Sequence, residues 1–234
     1  MVVLAIDTSV GVAVAVVGPQ DRVVRARVAE DRKHAELLAP LIEGALAEAG
    51  VVPTDVTRVA VGTGPAPFTG LRAGIVAART FGFARGVPVL GAPSLDAAAL
   101  HAVELGHVAD GDEVVVLSDA RRREVYWARY RVVGASVAPV TTPDVAQPQV
   151  LVSEGVLTGV PVVTTGEIAA LAAALAGEGP HDVRLVGTDV LPDPVLLARL
   201  VDERAAAGAD LPTEPLYLRR PDAVVPAASK RVTG

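Results

Sequence analysis

Three short segments of this chain carry residue types and spacings that suit chemistry. They are Asp7-Thr8-Ser9, the run Gly62–Gly74 (GTGPAPFTGLRAG), and Asp119 followed by Ala120-Arg121-Arg122-Arg123. An acidic side chain at the turn after a first strand can approach a magnesium-bound phosphate, while the hydroxyls and amides behind it face the phosphate oxygens. An Asx-turn that only shapes a hairpin uses the same residues. Asp119 ends a later strand, and two strand-end aspartates suit a ligand held between two turns. In the glycine run a strand leads through a loop to a helix, which offers N–H groups and a positive dipole end to an anion. Gly64, Thr69, Gly70 and Arg72 are the candidates there, with Thr69 placed to cap the helix. The established phosphate-loop patterns are missing: no Lys-Ser/Thr follows Gly70, and Pro67 stands where a dinucleotide fingerprint needs its third glycine. Arg72 sits in the first helical turn, where a cation opposes the dipole by up to about 1 kcal/mol unless an anion answers it. A guanidinium bent outward into water is the alternative.

Other chemistries find little support. The chain has no cysteine, which removes disulfides and a thiol nucleophile. His34, His101, His107 and His181 form no HxxxH or HExxH pair, so no metal site is expected. No GxSxG elbow is present, and no serine stands in an interpretable spacing with histidine. A net charge of −6 and 3% aromatic content give no footprint for gripping nucleic acid across the chain. Arg121-Arg122-Arg123 reads as a solvated hairpin tip or as a contact for phosphate or carboxylate. The N-terminus lacks a basic leader and meets Asp7 early, and no apolar run approaches the ~20 residues of a membrane span. A soluble, cytoplasmic protein with no membrane partner is expected.

The elements that must position these residues follow from periodicity. β-type runs at Val2–Ile6, Val12–Val17 and Arg22–Val28 precede a helix over Lys33–Ala49, closed by Gly50. Then come a strand Thr57–Val61, a helix Gly70–Arg85, a strand Val87–Leu90 and a helix opened by Ser94 as N-cap. That order predicts an α/β chain with a mixed sheet of ribonuclease-H-like type. The pattern breaks near Glu104–Asp112, which sets expected domains at 1–104 and 105–220, with 221–234 as a flexible tail. Strands resume at Glu113–Leu117 and Glu124–Val133; residues 134–161 are proline-rich loop with one short helix; helices return at Glu167–Ala176 and Pro194–Ala207. Over Lys33–Ala49, Leu37, Leu38, Leu41, Ile42, Ala45, Leu46 and Ala49 cover about half the circumference. A stripe that wide serves one broad core face, or a core face plus a partner surface. Pro40 within it should kink the helix.

Taken in order, Ala5-Ile6-Asp7-Thr8-Ser9, Lys33-His34-Ala35-Glu36-Leu37-Leu38-Ala39-Pro40-Leu41-Ile42, Phe68-Thr69-Gly70-Leu71-Arg72, Asp119-Ala120-Arg121 with Glu124-Val125-Tyr126, and Pro215-Leu216-Tyr217-Leu218-Arg219 resemble the bacterial TsaB (YeaZ) family. The resemblance implies a two-lobed actin-like (ASKHA) fold. It also implies a non-catalytic subunit in threonylcarbamoyl transfer to N6 of adenosine 37 of ANN-decoding tRNAs. The implied partners are a TsaD-type transferase and a TsaE-type ATPase, with a homodimer in isolation and tRNA met only through the complex. The pairing face would come from His34, Leu37, Leu38, Leu41, Ile42, Leu71, Ile75 and Arg79. The chain would carry no cofactor of its own, ATP or ADP entering only with the partner. TsaD-type proteins carry an HxxxH metal pair after the strand corresponding to Val87–Leu90. Ser94 and Ala98 fall at those positions here, and neither holds a transition metal. The chain departs from the family loop GPGSFTGLR at Ala66 and Pro67, and from a favoured glycine at Arg123. The alternative is an actin-like-fold ATPase or phosphoryl-transfer enzyme using Asp7 and Asp119.

Overall fold

A computed structural model describes residues 1–18, 23–28, 34–176 and 182–219. Lys33, His181 and the segment 221–234 lie outside the described residues, as does the side chain of His34. Among the described residues eleven strands form two mixed sheets with the same plan. In the first, β1 (Val3–Asp7), β2 (Val12–Val17) and β3 (Val23–Val28) form an antiparallel meander, and β4 (Arg58–Gly62) and β5 (Val89–Ala92) extend it in parallel on the other side of β1. The order is β3-β2-β1-β4-β5. In the second, β6 (Glu113–Asp119), β7 (Val125–Val133) and β8 (Ser136–Pro139) form the meander, and β10 (Pro161–Thr164) and β11 (Arg184–Gly187) the parallel wing. A short β9 (Asp144–Ala146) pairs with β7. β10, β11 and the two short strands were not expected from the sequence: they are three or four residues long, below the length at which alternation is legible.

Period-two alternation divides each sheet between two cores. On the outer face of the first, Leu4, Ile6, Val12, Val14, Val16, Val59 and Val61 pack with Leu38, Ile42 and Leu46 of α1 (His34–Ala49) and Leu71 and Ile75 of α2 (Phe68–Arg85). The neighbouring residues Val3, Ala5, Ala15 and Ala60 face inward, onto a layer of two helices between the sheets. That layer holds α3 (Ser94–Glu104) and α6 (Pro194–Ala206). Each closes one half of the chain, and each packs on the other half's sheet: α3 against β6, β7 and β8, α6 against β1, β2, β4 and β5. The outer face of the second sheet is covered by α4 (Pro148–Ser153) and α5 (Ala169–Leu175) through Leu151 and Leu171. A division at 104/105 therefore separates the strands, while α3 and α6 join the halves through one continuous core.

Polar ties fix this exchange. Asp193 caps α6 by accepting from Val195 N at 2.7 Å and also receives the Arg25 guanidinium at 3.0 Å. Arg58 pairs with Asp202. In the centre, Tyr130 Oη donates to Asp96 Oδ1 at 2.8 Å and Arg204 Nη1 lies 2.7 Å from Asp96 Oδ2, joining β7, α3 and α6. Burial pushes the Asp96 carboxyl above the usual carboxylate range despite the lowering influence of Arg204 and of the Tyr130 hydrogen bond. Burial, reinforced by the Asp96 charge, holds the Tyr130 phenol well above its usual range.

Candidate functional site

The two equivalent turns, β1–β2 and β6–β7, meet across a cleft of about 360 Å3. Its walls are Thr8 and Ser9 from the first turn, Ser118, Asp119 and Arg121 from the second, Thr69 and Gly70 at the start of α2, and Thr165–Ile168 after β10. Thr8 Oγ1 donates to the Gly70 carbonyl at 2.9 Å, and a Cβ at Gly74 would lie 2.3 Å from that hydroxyl. The small residues of α2 thus let the helix seat against the turn. Thr165 Oγ1 donates to Ser118 Oγ at 2.9 Å, a buried hydroxyl pair in the opposite wall. Ser118, Thr165 and Glu167 are cleft residues that the sequence reading missed. Only Ser118 carried a signal, its place beside Asp119.

Of the expected phosphate ligands, Thr8, Ser9, Thr69, Gly70 and Asp119 reach this cleft, while Asp7, Gly64 and Arg72 are absent from its lining. Asp7 is only 2% exposed, and both oxygens are engaged. Oδ1 accepts from Ser9 N at 2.9 Å and Ser9 Oγ at 2.5 Å, and Oδ2 accepts from Ser94 Oγ at 2.6 Å. Ser94 Oγ also accepts from Gly64 N at 3.2 Å, and Ser94 N donates to the Gly64 carbonyl at 2.7 Å. Asp7, Ser94 and the glycine loop form one buried knot. A Cβ at Gly62 would fall 1.9 Å from Asp7 Oδ2, so the knot closes only over a glycine. Ser94 is the first residue of α3 rather than its N-cap, its hydroxyl having been drawn into the knot. Ala98 is fully buried in the inter-sheet core. With one hydroxyl committed twice and one methyl, these two positions do not fit a metal.

Arg72 finds a different answer to the helix dipole. Its Nε donates to Tyr217 Oη at 2.7 Å, and its guanidinium lies over the rings of Phe68 and Tyr217, 5.5 and 5.2 Å from their centroids. α2 starts at Phe68, two residues before the expected Gly70, with Pro67 as N-cap, so Thr69 lies inside the first turn and caps nothing. Tyr217 belongs to a C-terminal strap over Leu211–Arg219. It is fixed by Gly91 N to Leu211 O (3.0 Å), Leu216 N to Thr63 O (2.9 Å), and Arg79 to Thr213 and Glu214. At its end Arg219 donates to Ala120 O at 2.9 Å and pairs with Glu124, bracing the turn beyond Asp119. In that turn Arg121, Arg122 and Arg123 are all left-handed, with φ of 63°, 54° and 65°. Such a conformation costs a non-glycine residue about 1–2 kcal/mol. Asp119 Oδ1 accepts from Arg121 N at 3.0 Å, with the Arg121 guanidinium 3.4 Å from Oδ2.

On the expected pairing face, Leu38, Ile42, Leu71 and Ile75 are core residues, all four with under a tenth of their surface open. Their contribution is to hold α1 and α2 in place. Leu37 and Leu41 are half-buried and Arg79 is exposed. The structure adds Val76 and Phe83, 61% and 92% exposed on α2, which apolar periodicity had assigned to no face.

Two copies of one sheet plan, with the last helix of each half packed on the other's sheet and a cleft between equivalent turns, define the actin-like, ribonuclease-H-like class. A family model described as TsaD, tRNA N6-adenosine threonylcarbamoyltransferase, matches residues 27–191. A solved Pseudomonas aeruginosa protein with similarity to peptidase YeaZ superposes with a TM-score of 0.77 at 28% identity, covering 93% of this chain and 99% of that one. An uncharacterised Mycobacterium tuberculosis protein is 40% identical over 228 residues, 94% of this chain and 93% of its own length. The Escherichia coli tRNA threonylcarbamoyladenosine biosynthesis protein TsaB is 33% identical over 100 residues, 43% of this chain and 42% of that protein. The chain belongs to the TsaB (YeaZ) branch of the TsaD family. Among the described residues no helix is long and apolar enough to cross a membrane.

Proposed function

We propose that this chain is a non-catalytic subunit of threonylcarbamoyl transfer to N6 of adenosine 37 in ANN-decoding tRNAs. In this reading it pairs with a TsaD-type transferase and activates it, alongside a TsaE-type ATPase, and forms a homodimer when alone. The observation that carries the reading is the buried knot of Asp7, Ser9, Ser94 and Gly64. At the position where the family resemblance implies a metal-ligating histidine, this chain uses a serine to bind its own first acidic turn. The residue best suited to chemistry is thereby spent on holding β1, the glycine loop and α3 together.

Pairing is assigned to the outer layer of α1 and α2. Leu37 and Leu41 offer partial surface there, and Val76 and Phe83 offer more. An almost fully exposed Phe on a helix is area that a partner can bury. ATP hydrolysis, the second reading, is favoured by the position of Asp119 in the cleft but needs Asp7 as well. ATP or ADP is assigned to the complex rather than to the isolated chain. The test is a reconstitution from purified TsaD-type and TsaE-type proteins, tRNA, ATP and the threonylcarbamoyl-adenylate donor, with and without this chain. Product only when the chain is added supports the subunit reading; equal product without it overturns it.

A further inference from the structure

We propose that the C-terminal strap couples the outer stripe of α2 to the second turn of the cleft, so that the turn changes shape with the strap's seat. Its use, registering a docked subunit, rests on the pairing reading above. One part of the strap lies on α2. Arg79 Nε donates to Thr213 Oγ1 at 2.7 Å and its Nη2 lies 3.0 Å from Glu214 Oε1, while Arg72 Nε donates to Tyr217 Oη at 2.7 Å. Arg72 and Arg79 stand seven residues apart, and the exposed Val76 and Phe83 follow each of them by four, so the four side chains share one stripe. A partner that buries Val76 and Phe83 therefore meets the groups that seat the strap, among them Glu214 with 74% of its side chain open.

The far end of the strap holds the cleft. Two residues beyond Tyr217, Arg219 donates to the Ala120 carbonyl at 2.9 Å and pairs with Glu124, gripping both ends of the turn that contains Arg121, Arg122 and Arg123. Ala120 N to Glu124 O (3.0 Å) and Glu124 N to Arg121 O (3.1 Å) close that turn, and Asp119 and Arg121 at its start line the cleft. Left-handed residues other than glycine persist where their surroundings over-determine them, so loosening a brace opens a second, relaxed arrangement to the turn. Between its two ends the strap is short and stiff. Pro212 and Pro215 fix their φ angles, Leu216 N donates to Thr63 O at 2.9 Å, and Leu218 packs at the edge of the inter-sheet core. Gly91 leaves the room that the strap needs, since a Cβ there would fall 2.2 Å from Pro212 O. A stiff segment seated this closely passes a shift along rather than absorbing it.

The experiment is hydrogen–deuterium exchange of the full chain, followed by mass spectrometry over residues 119–125 and 213–218. The variants are Arg219→Ala at the turn, and Arg79→Ala and Tyr217→Phe at the seat on α2. Tyr217→Phe keeps the ring and removes only the hydroxyl that Arg72 reaches, so it disturbs the fold least. Arg219→Ala should speed exchange across 120–124 roughly tenfold by direct loss of the brace. Arg79→Ala and Tyr217→Phe, whose side chains lie on α2 and not on the turn, should each speed exchange there by about threefold or more, together with faster exchange over 213–218. Thr80→Ala, an exposed neighbour on α2 that points away from the stripe, is the control and should leave both segments as in wild type. Faster exchange over 213–218 with an unchanged turn would overturn the coupling, because the strap would have loosened without the turn following. Unchanged exchange over both segments in the two seat variants would overturn it as well. The assay contains no transferase, so its failure leaves the pairing reading intact, and co-elution of the wild-type chain with the TsaD-type partner tests that reading separately.

Discussion

Replacing Ser94 by alanine tests whether Asp7 is a structural residue. The substitution removes one buried hydroxyl that donates to Asp7 Oδ2 at 2.6 Å and accepts from Gly64 N at 3.2 Å. Both partners stay buried: Asp7 is 2% exposed, and Gly64 lies in the closed loop. Leaving a buried donor or acceptor unsatisfied costs about 1–3 kcal/mol, more for a charged group. Two orphaned groups give a loss of roughly 2–5 kcal/mol. For a chain of this size each kcal/mol lowers the melting temperature by about 2–4 °C, so the variant should melt roughly 4–20 °C below wild type. Chemical denaturation at neutral pH should show a reduced midpoint with an unchanged m-value. A loss below about 0.5 kcal/mol, the ordinary range of a surface change, would refute the reasoning. Asp7 would then be free to turn toward the cleft.

Three further outcomes follow from the same contacts. Arg204→Met strands the buried Asp96 carboxylate, which should cost about 3 kcal/mol at neutral pH, the low end for a buried pair because Arg204 is 24% exposed. Asp96 has a raised folded-state pKa, so its contribution is full below the unfolded value of about 3.9 and is lost as pH rises through the folded value. Without Arg204 the folded value climbs further; the deficit against wild type should shrink below about pH 4, as read by denaturation at both pH values. Gly62→Ala places a methyl 1.9 Å from Asp7 Oδ2 and should cost about 1–3 kcal/mol or more. Gly44→Ala, in the middle of α1 with open space around it, should instead gain about 0.5–1 kcal/mol in the same denaturation series.

Much of the fold was legible because strong periodicity marks long elements. The meander of β1–β3, the helices α1 and α2, and the placing of Asp7 and Asp119 at equivalent strand ends all follow from local pattern. The packing of α6 on the first sheet was not legible. An apolar stripe such as Leu196, Leu197, Leu200 and Val201 says that a helix is covered, not which sheet covers it. The cleft was half legible. Thr8, Ser9, Thr69, Gly70 and Asp119 line it as their positions suggest, whereas Asp7 turns inward because Ser94, far along the chain, offers a hydroxyl. Arg72 was recognised as misplaced against its helix dipole. Its partner Tyr217 is 145 residues away, and nothing local could name it. The left-handed backbone at Arg121–Arg123 contradicts residue preference and is set by the braces from Arg219 and Glu124.

Under the proposed function this chain acts by pairing and not by chemistry in its own cleft. The most direct test measures threonylcarbamoyl-adenosine yield in the reconstituted system with three forms of the chain: wild type, the cleft variant Asp119→Asn, and the face variant Leu37→Glu/Phe83→Glu. Both substitution sites of the face variant have exposed surface, so its fold is confirmed first by an unchanged melting profile. We expect wild-type yield from the cleft variant, and loss of both yield and co-elution with the transferase from the face variant. A cleft variant that abolishes product while still pairing, beside a face variant that works normally, would contradict it.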